Sequence, residues 1–167
     1  RGLTDKDIKP RAVLSAISNA KNEMRNAEDF SASTRGPREQ KIAELFFAYE
    51  KALKDTSALD FDDLLIKTVE LLRSKPDIRH KWQQQFEHIL IDEYQDTNAV
   101  QYALIKLLVN SRRNLCVVGD DAQSIYSFRG ADYTNILNFE RDFPGTTVVK
   151  LEQNYRSTGA ILNMANA

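Results

Sequence analysis

The chain has 167 residues, 42% hydrophobic and 28% charged, with a formal net charge of −1. That length accommodates one or two small domains, and the balance is that of a folded soluble protein, which excludes a disordered chain. The near-neutral charge lacks the basic excess of a dedicated nucleic-acid module, so any nucleic acid must be held by a local surface or by a partner segment outside this chain.

The first ~85 residues read as helical. Val13, Leu14, Ile17 and Ala20 follow helical spacing after Pro10, a first-turn proline. Ser31 to Pro37 reads as a polar connector. Ile42, Leu45, Phe46 and Tyr49 then form a second apolar stripe, with lysines and glutamates on the opposite face. A third helix is expected from about Phe61 to Leu72, and a short fourth after Pro76, carrying Trp82 and Phe86. Asp60, Asp62 and Asp63 suit capping of the third helix better than metal binding, because acids at a helix N-terminus complement its dipole.

The pattern changes near residue 87. His88–Ile91 is a short apolar run ending in acids, as in a buried parallel strand. Asn98–Val109 is helical in period, Leu115–Val118 is a second strand, Ala131–Phe139 is helical, and Thr146–Leu151 is a third strand after the Pro144–Gly145 turn. Strand, helix, strand, helix, strand is the sequence form of a parallel α/β sheet. The lone Cys116, inside the second apolar run, reads as a small core residue. Apolar runs of four or five residues exclude a membrane-spanning helix. The N-terminus lacks an apolar targeting core, so a cytoplasmic location is expected. The chain begins without a methionine and stops mid-pattern at Met164-Ala165-Asn166-Ala167, so both ends read as cut from a longer protein.

Ligands of open α/β sheets bind at the carboxyl ends of the strands. Three such ends carry polar clusters here. Ile89-Leu90-Ile91-Asp92-Glu93 has the form of a Walker B segment, in which the Asp holds Mg²⁺ and the Glu activates water. A plain hydrophilic turn is the alternative, but the continuation Tyr94-Gln95-Asp96-Thr97-Asn98 is more polar than a turn requires. After Val118, Gly119 permits a close backbone approach, and Gln123 has both donor and acceptor atoms to sense a phosphate and its attacking water. Tyr126, Phe128 and Arg129 either stack on single-stranded nucleic acid or tuck into a core. Past Leu151, Tyr155 and Arg156 suit a nucleotide ring and a transferring phosphoryl group. Alternatively, Ser157 or Thr158 caps a helix and Arg156 is a surface charge.

Taken together, DEYQDTN at 92–98, GDDAQSIYSFRGAD at 119–132 and LEQNYRST at 151–158 resemble motifs II, III and IV of UvrD/Rep/PcrA-type superfamily 1 DNA helicases. The helical first half, with LDFDDLL at 59–65, is similar to the inserted 1B subdomain of that family. The resemblance implies a partial RecA-like parallel sheet of the P-loop NTPase type. Residues 1–86 would be a 1B-like subdomain, 87–153 part of motor domain 1A, and 154–167 the start of the connection to a second motor domain. It implies Asp92 as the Mg²⁺ ligand, Glu93 as catalytic base, and Gln123 as the coupler of the γ-phosphate to the DNA loop. Tyr126 and Phe128 would stack on bases, Arg129 would link that loop to the ATP site, Tyr155 would lie near adenine, and Arg156 would act as an arginine finger. Many relatives carry tryptophan where Phe128 stands, and stacking survives that change.

The implied activity is ATP-dependent 3′→5′ translocation on single-stranded DNA and at duplex junctions, near the nucleoid, with repair or replication proteins as partners. A helicase–nuclease recombination subunit would share these motifs, and a catalytically dead DNA-binding relative is the non-enzyme alternative. The four intact residues Asp92, Glu93, Gln123 and Arg156 weigh against decay. A phosphate-binding loop ending in Gly-Lys-Ser/Thr is absent from the 167 residues. Of six glycines, the nearest candidates, Gly36 and Gly159, are followed by Pro37 and Ala160. That loop supplies the amides and lysine that grip phosphates, so the isolated chain is expected to be inactive.

Overall fold

The computed structural model describes residues 8–124, 130–132 and 134–165. They fall into two compact units, dividing between Leu137 and Asn138.

The first unit begins with five helices. Helix α1 (Pro10–Asn22) starts at its proline, and α2 (Ala27–Ala32) is nucleated by a capping box between Asn26 and Asp29. This six-residue helix takes in Ser31 and Ala32, so the polar connector is shorter than the sequence implies. Two short side chains, Asn26 and Asp29, closing on each other's backbone amides are enough to start a turn that lacks an apolar stripe. Helix α3 (Pro37–Asp55) buries Ile42, Ala43 and Phe46. Phe46 meets Phe30 edge-on at 6.1 Å, within a core of Ile17, Ala20 and Ala27. Helix α4 (Phe61–Ser74) opens on a capping box of Asp60 and Asp63, in keeping with the capping reading of those acids. Helix α5 (Pro76–Gln85) holds Trp82, which stacks on Phe86 at 5.7 Å with both rings about 40% exposed, so this pair is a surface stack rather than core.

Lys21 is the least expected member of the helical core. Its side chain is 4% exposed, and its Nζ lies 2.8 Å from both Asp60 Oδ2 and Asp63 Oδ1 and 2.7 Å from Glu50 Oε1. Burial by itself would lower the Lys21 pKa. The hydrogen bonds to Asp60 and Asp63 and the ion pair with Glu50 outweigh it and hold the ammonium above the usual lysine range. Burial would likewise raise Asp60, but its bonds from Lys21, the Asp63 amide and the Tyr49 hydroxyl hold it below the usual carboxylate range. Tyr49 is pushed up to about 12 by burial and by donating to Asp60.

Strand β1 (Ile89–Ile91) pairs in parallel with β2 (Leu115–Val117), the crossover being α6 (Ala99–Leu108). The register sets Leu90 beside Cys116. In both strands the outer residues are partly covered while the middle one is exposed, Leu90 at 76%. Cys116 is therefore exposed rather than a core residue: side chains alternate across a strand, and only one face of this sheet is covered among the described residues. Helix α6 packs against α4 and α5, burying Val100 and Ile105. The expected Ala131–Phe139 helix is instead two single turns, α7 (Thr134–Leu137) and α8 (Phe139–Asp142), the first started by Asp132 accepting from the Thr134 amide.

In the second unit, Phe139 packs on Phe143 at 4.8 Å, and α9 (Gly159–Ala165) closes the described chain. The third strand expected at Thr146–Leu151 does not form: the described residues contain a two-stranded sheet only. Val148, Val149 and Leu151 are 59%, 74% and 84% exposed. An apolar run becomes a strand only where a neighbouring backbone accepts its ladder bonds and a layer covers its side chains, and this segment has neither here.

Candidate functional site

The carboxyl ends of β1 and β2 lie side by side, because the ladder continues past both strands through Val118 N–H to Ile91 C=O at 2.8 Å and Tyr94 N–H to Val118 C=O at 3.0 Å. Asp92 and Glu93 sit exposed at the β1 tip. One Asp92 oxygen accepts the Glu93 amide at 2.9 Å, and the other has no partner among the described residues. Mg²⁺ binds through one or two carboxylates and keeps water and phosphate oxygens for the rest. A single open aspartate at a strand tip fits that ion better than a closed multi-carboxylate cage, and among the described residues no group of three His, Cys, Asp or Glu forms such a cage.

Glu93 has φ 51 and ψ 42, the left-handed region that a residue with a Cβ seldom enters. Such conformations cost roughly 1–3 kcal/mol and persist where surrounding structure over-determines them. Here the surroundings are explicit. Tyr94 is 0% exposed and Gln95 1%, and Tyr94–Asp96 forms one tight turn locked by its bond to Val118. The Glu93 carboxylate accepts from Gln95 Nε2 at 2.7 Å, and Gln95 Oε1 accepts the Asp120 amide at 3.1 Å.

Gly119 is what admits this approach: a Cβ there would lie 2.7 Å from Gln95 Oε1 and 2.9 Å from Ile136 Cδ1. Asp120 then caps the short turn Asp121–Gln123, accepting from the Ala122 amide at 3.1 Å and from Gln123 Nε2 at 2.9 Å. Asp92, Glu93 and Gln123 are thus brought to one edge of the sheet by two strand ends and a shared hydrogen-bond path.

Beyond the acids, Thr97 and Asn98 form a buried junction. Asn98 caps α6 through the Gln101 amide, and its backbone bridges Ala131. Thr97 C=O accepts from the Asp132 amide at 3.0 Å and from Asn135 Nδ2 at 3.1 Å. The segment that follows the Tyr126–Arg129 stretch is therefore pinned to the tail of the acidic turn. Tyr126, Phe128 and Arg129 themselves lie outside the described residues. Tyr155 and Arg156 belong to the second unit, where Tyr155 is 93% exposed and Asn154 Oδ1 turns the chain by accepting from the Arg156 and Ser157 amides, both at 2.9 Å. Sequence reading overlooked Gln95 and Asp120 as connectors, since both read as generic turn residues. Gln95's only signal is that a fully polar, uncharged side chain follows a tyrosine in a stretch the fold must bury.

The class that this arrangement defines is an α/β protein with a pair of acids at the tip of one parallel strand, linked through Gln95 and Asp120 to a glutamine after the next. Residues 1–144 match the family model described as the UvrD/REP helicase N-terminal domain. The chain is 49% identical over 158 residues to the ATP-dependent DNA helicase PcrA of Leuconostoc citreum, an overlap covering 95% of this chain and 21% of that protein. It is 48% identical over 166 residues to PcrA of Bacillus subtilis (strain 168), covering 99% and 22%, and 46% identical over 164 residues to PcrA of Staphylococcus aureus (strain Mu50), covering 98% and 22%. The chain belongs to the UvrD/Rep helicase family. It spans about a fifth of the length of the curated relatives it matches.

Proposed function

We propose that this chain is the metal-and-water side of the ATP site in an ATP-dependent 3′→5′ DNA translocase, together with its link to the DNA strand. The observation that carries the reading is the joining of Asp92–Glu93 after β1 to Gly119–Asp120–Gln123 after β2 through the buried Gln95. Family membership supports DNA and ATP as the ligands. On this reading residues 1–86 are the 1B-like subdomain, 87–153 part of the RecA-like motor domain 1A, and 154–167 the start of the connection to the second motor domain.

Asp92 would hold Mg²⁺, which supplies charge neutralisation on the phosphate oxygens when bound. Glu93 orients the attacking water and takes its proton. Gln123 donates from Nε2 to a γ-phosphate oxygen, at the expense of its bond to Asp120, and its Oε1 accepts from the attacking water. Tyr126 and Phe128 stack on bases of the single strand, Arg129 joins that loop to the nucleotide site, Tyr155 lies against adenine, and Arg156 stabilises phosphoryl charge. No helix among the described residues is long and apolar enough to cross a membrane, and the reading places the protein with DNA in the cytoplasm, working beside repair or replication proteins.

The test is Glu93→Gln in the full-length protein. ATP binding, followed with a fluorescent nucleotide, is retained, while DNA-stimulated hydrolysis is lost; normal turnover in that variant removes Glu93 as base. The isolated 167-residue chain, lacking the phosphate-gripping Gly-Lys-Ser/Thr loop, neither hydrolyses ATP nor unwinds DNA. DNA-stimulated hydrolysis by the chain alone, abolished by Glu93→Gln, would overturn that part.

A further inference from the structure

We propose that Gln95 is the positioning residue for the Glu93 carboxylate and ties it to the Gly119–Asp120 turn, a role resting on the reading of Glu93 as base. Gln95 is 1% exposed, so its carboxamide must find partners inside the protein. It finds two of opposite and fixed polarity. The Glu93 carboxylate only accepts, and Gln95 Nε2 donates a hydrogen bond to it at 2.7 Å. The Asp120 amide only donates, and Gln95 Oε1 accepts its hydrogen bond at 3.1 Å. A flipped carboxamide would face acceptor to acceptor and donor to donor, so one orientation alone satisfies the pair.

The site is built to keep this geometry. Glu93 is exposed, its backbone stands in the left-handed region, and among the described residues Gln95 is the sole side chain bonded to its carboxylate. Left to itself, an exposed glutamate samples several rotamers. A base must be held near the water it deprotonates, and a misplacement of about 1 Å costs on the order of 10²-fold in rate. The other end of the carboxamide reads the backbone on which Gln123 depends, because Asp120 accepts from Gln123 Nε2. Gly119 allows the contact, since a side chain there would strike Gln95 Oε1. A shift of the Gly119–Asp120 turn therefore reaches the base through one buried side chain.

Two variants of the full-length protein separate this role from a merely structural one. Gln95→Met keeps the shape and removes both bonds. Gln95→Glu keeps the acceptor for the Asp120 amide but sets a second carboxylate against Glu93. Gln95→Met lowers kcat for DNA-stimulated ATP hydrolysis about 10²-fold, with KM for ATP within about two-fold. Gln95→Glu turns the attraction for the Glu93 carboxylate into repulsion and lowers kcat at least as far as Gln95→Met does, with KM for ATP again within about two-fold.

The proposal is overturned by a kcat within about two-fold of the parent in either variant, or by loss of folding in both, which makes Gln95 structural only. Glu93→Gln is run in parallel. If it turns over normally, the base reading has failed whatever Gln95 does. If it is inactive while the Gln95 variants turn over normally, only the positioning role has failed.

Discussion

Asn98 Nδ2 donates a 2.7 Å hydrogen bond to Asn22 Oδ1 across 76 positions of sequence, and both side chains are buried at 4% exposure. This single bond joins the end of α1 to the start of α6, and so joins the helical half to the turn that follows the acids. Its direction is forced. Asn22 Nδ2 already donates to the Ser18 carbonyl at 2.8 Å and to Asp62 Oδ1 at 3.1 Å, and neither of those groups can donate in return.

Asn98→Asp tests that bond without disturbing the helix cap. An aspartate still accepts the Gln101 amide as N-cap, but it sets an acceptor against Asn22 Oδ1. The folded 167-residue chain is expected to lose about 1–3 kcal/mol, the penalty for an unmade buried hydrogen bond. Urea unfolding followed by circular dichroism measures it. A midpoint equal to that of the parent would show that the junction rearranges at no cost.

The Lys21 cluster makes stability depend on pH at both extremes. Lys21 and Tyr49 have raised pKa values, so their contribution is complete below the ordinary values of about 10 and is lost as pH rises beyond them, for Tyr49 by about 12. Asp60 is lowered, so its contribution is present above about 3.9 and lost as pH falls below that. Unfolding midpoints are therefore expected to plateau between about pH 4 and about pH 10 and to fall on either side. Asp60→Asn keeps the cap but flattens the acid fall. Lys21→Met strands Asp60, Asp63 and Glu50 around an apolar tip and costs about 3–5 kcal/mol. A small loss in that variant would mean that the carboxylates are better hydrated than their burial implies.

How much of this was legible in the chain follows the range of each interaction. Helices α1, α3, α4 and α6 announce themselves through local features: a first-turn proline, a stripe at helical spacing, or an Asp or Asn cap. The acids after Ile91 and the glycine after Val118 mark the strand ends, and the family strings carry the chemistry proposed for them. What stayed hidden is non-local. A lysine on a helix reads as solvent-facing, and Lys21 is buried because carboxylates at 50, 60 and 63 converge on it. The left-handed backbone at Glu93 has no glycine to signal it, and Gln95 has no meaning until Asp120 is beside it. Thr146–Leu151 carries a strand's composition, but composition supplies no neighbouring backbone to pair with.

Arg156 yields a prediction that separates nucleotide grip from chemistry. On the proposed reading it contributes in the transition state, where an arginine finger is worth about 10³- to 10⁵-fold in kcat. Arg156→Ala in the full-length protein should lower kcat by that order while ATP binding is nearly retained. Arg156→Lys should restore little, since a point ammonium does not reproduce the planar fork of donors. Full rescue by lysine would show that charge alone acts at this position.

Gly119→Ala probes the contact between the two strand ends directly. The added Cβ would sit 2.7 Å from Gln95 Oε1, 2.9 Å from Ile136 Cδ1 and 3.3 Å from the Gln95 backbone nitrogen. The side-chain oxygen is the part able to move, but it is held by the Asp120 amide, and moving it turns Nε2 away from Glu93. Relief of the clash therefore releases the carboxylate of the proposed base. Overpacking of this kind costs about 1–3 kcal/mol, so the variant still folds but with a lower unfolding midpoint. Single-turnover ATP hydrolysis by the full-length variant should slow at least about tenfold, with nucleotide affinity little changed because Asp92 is untouched. Hydrolysis at the parental rate in a destabilised but folded Gly119→Ala protein would show that Glu93 keeps its place without the Gly119–Gln95 contact.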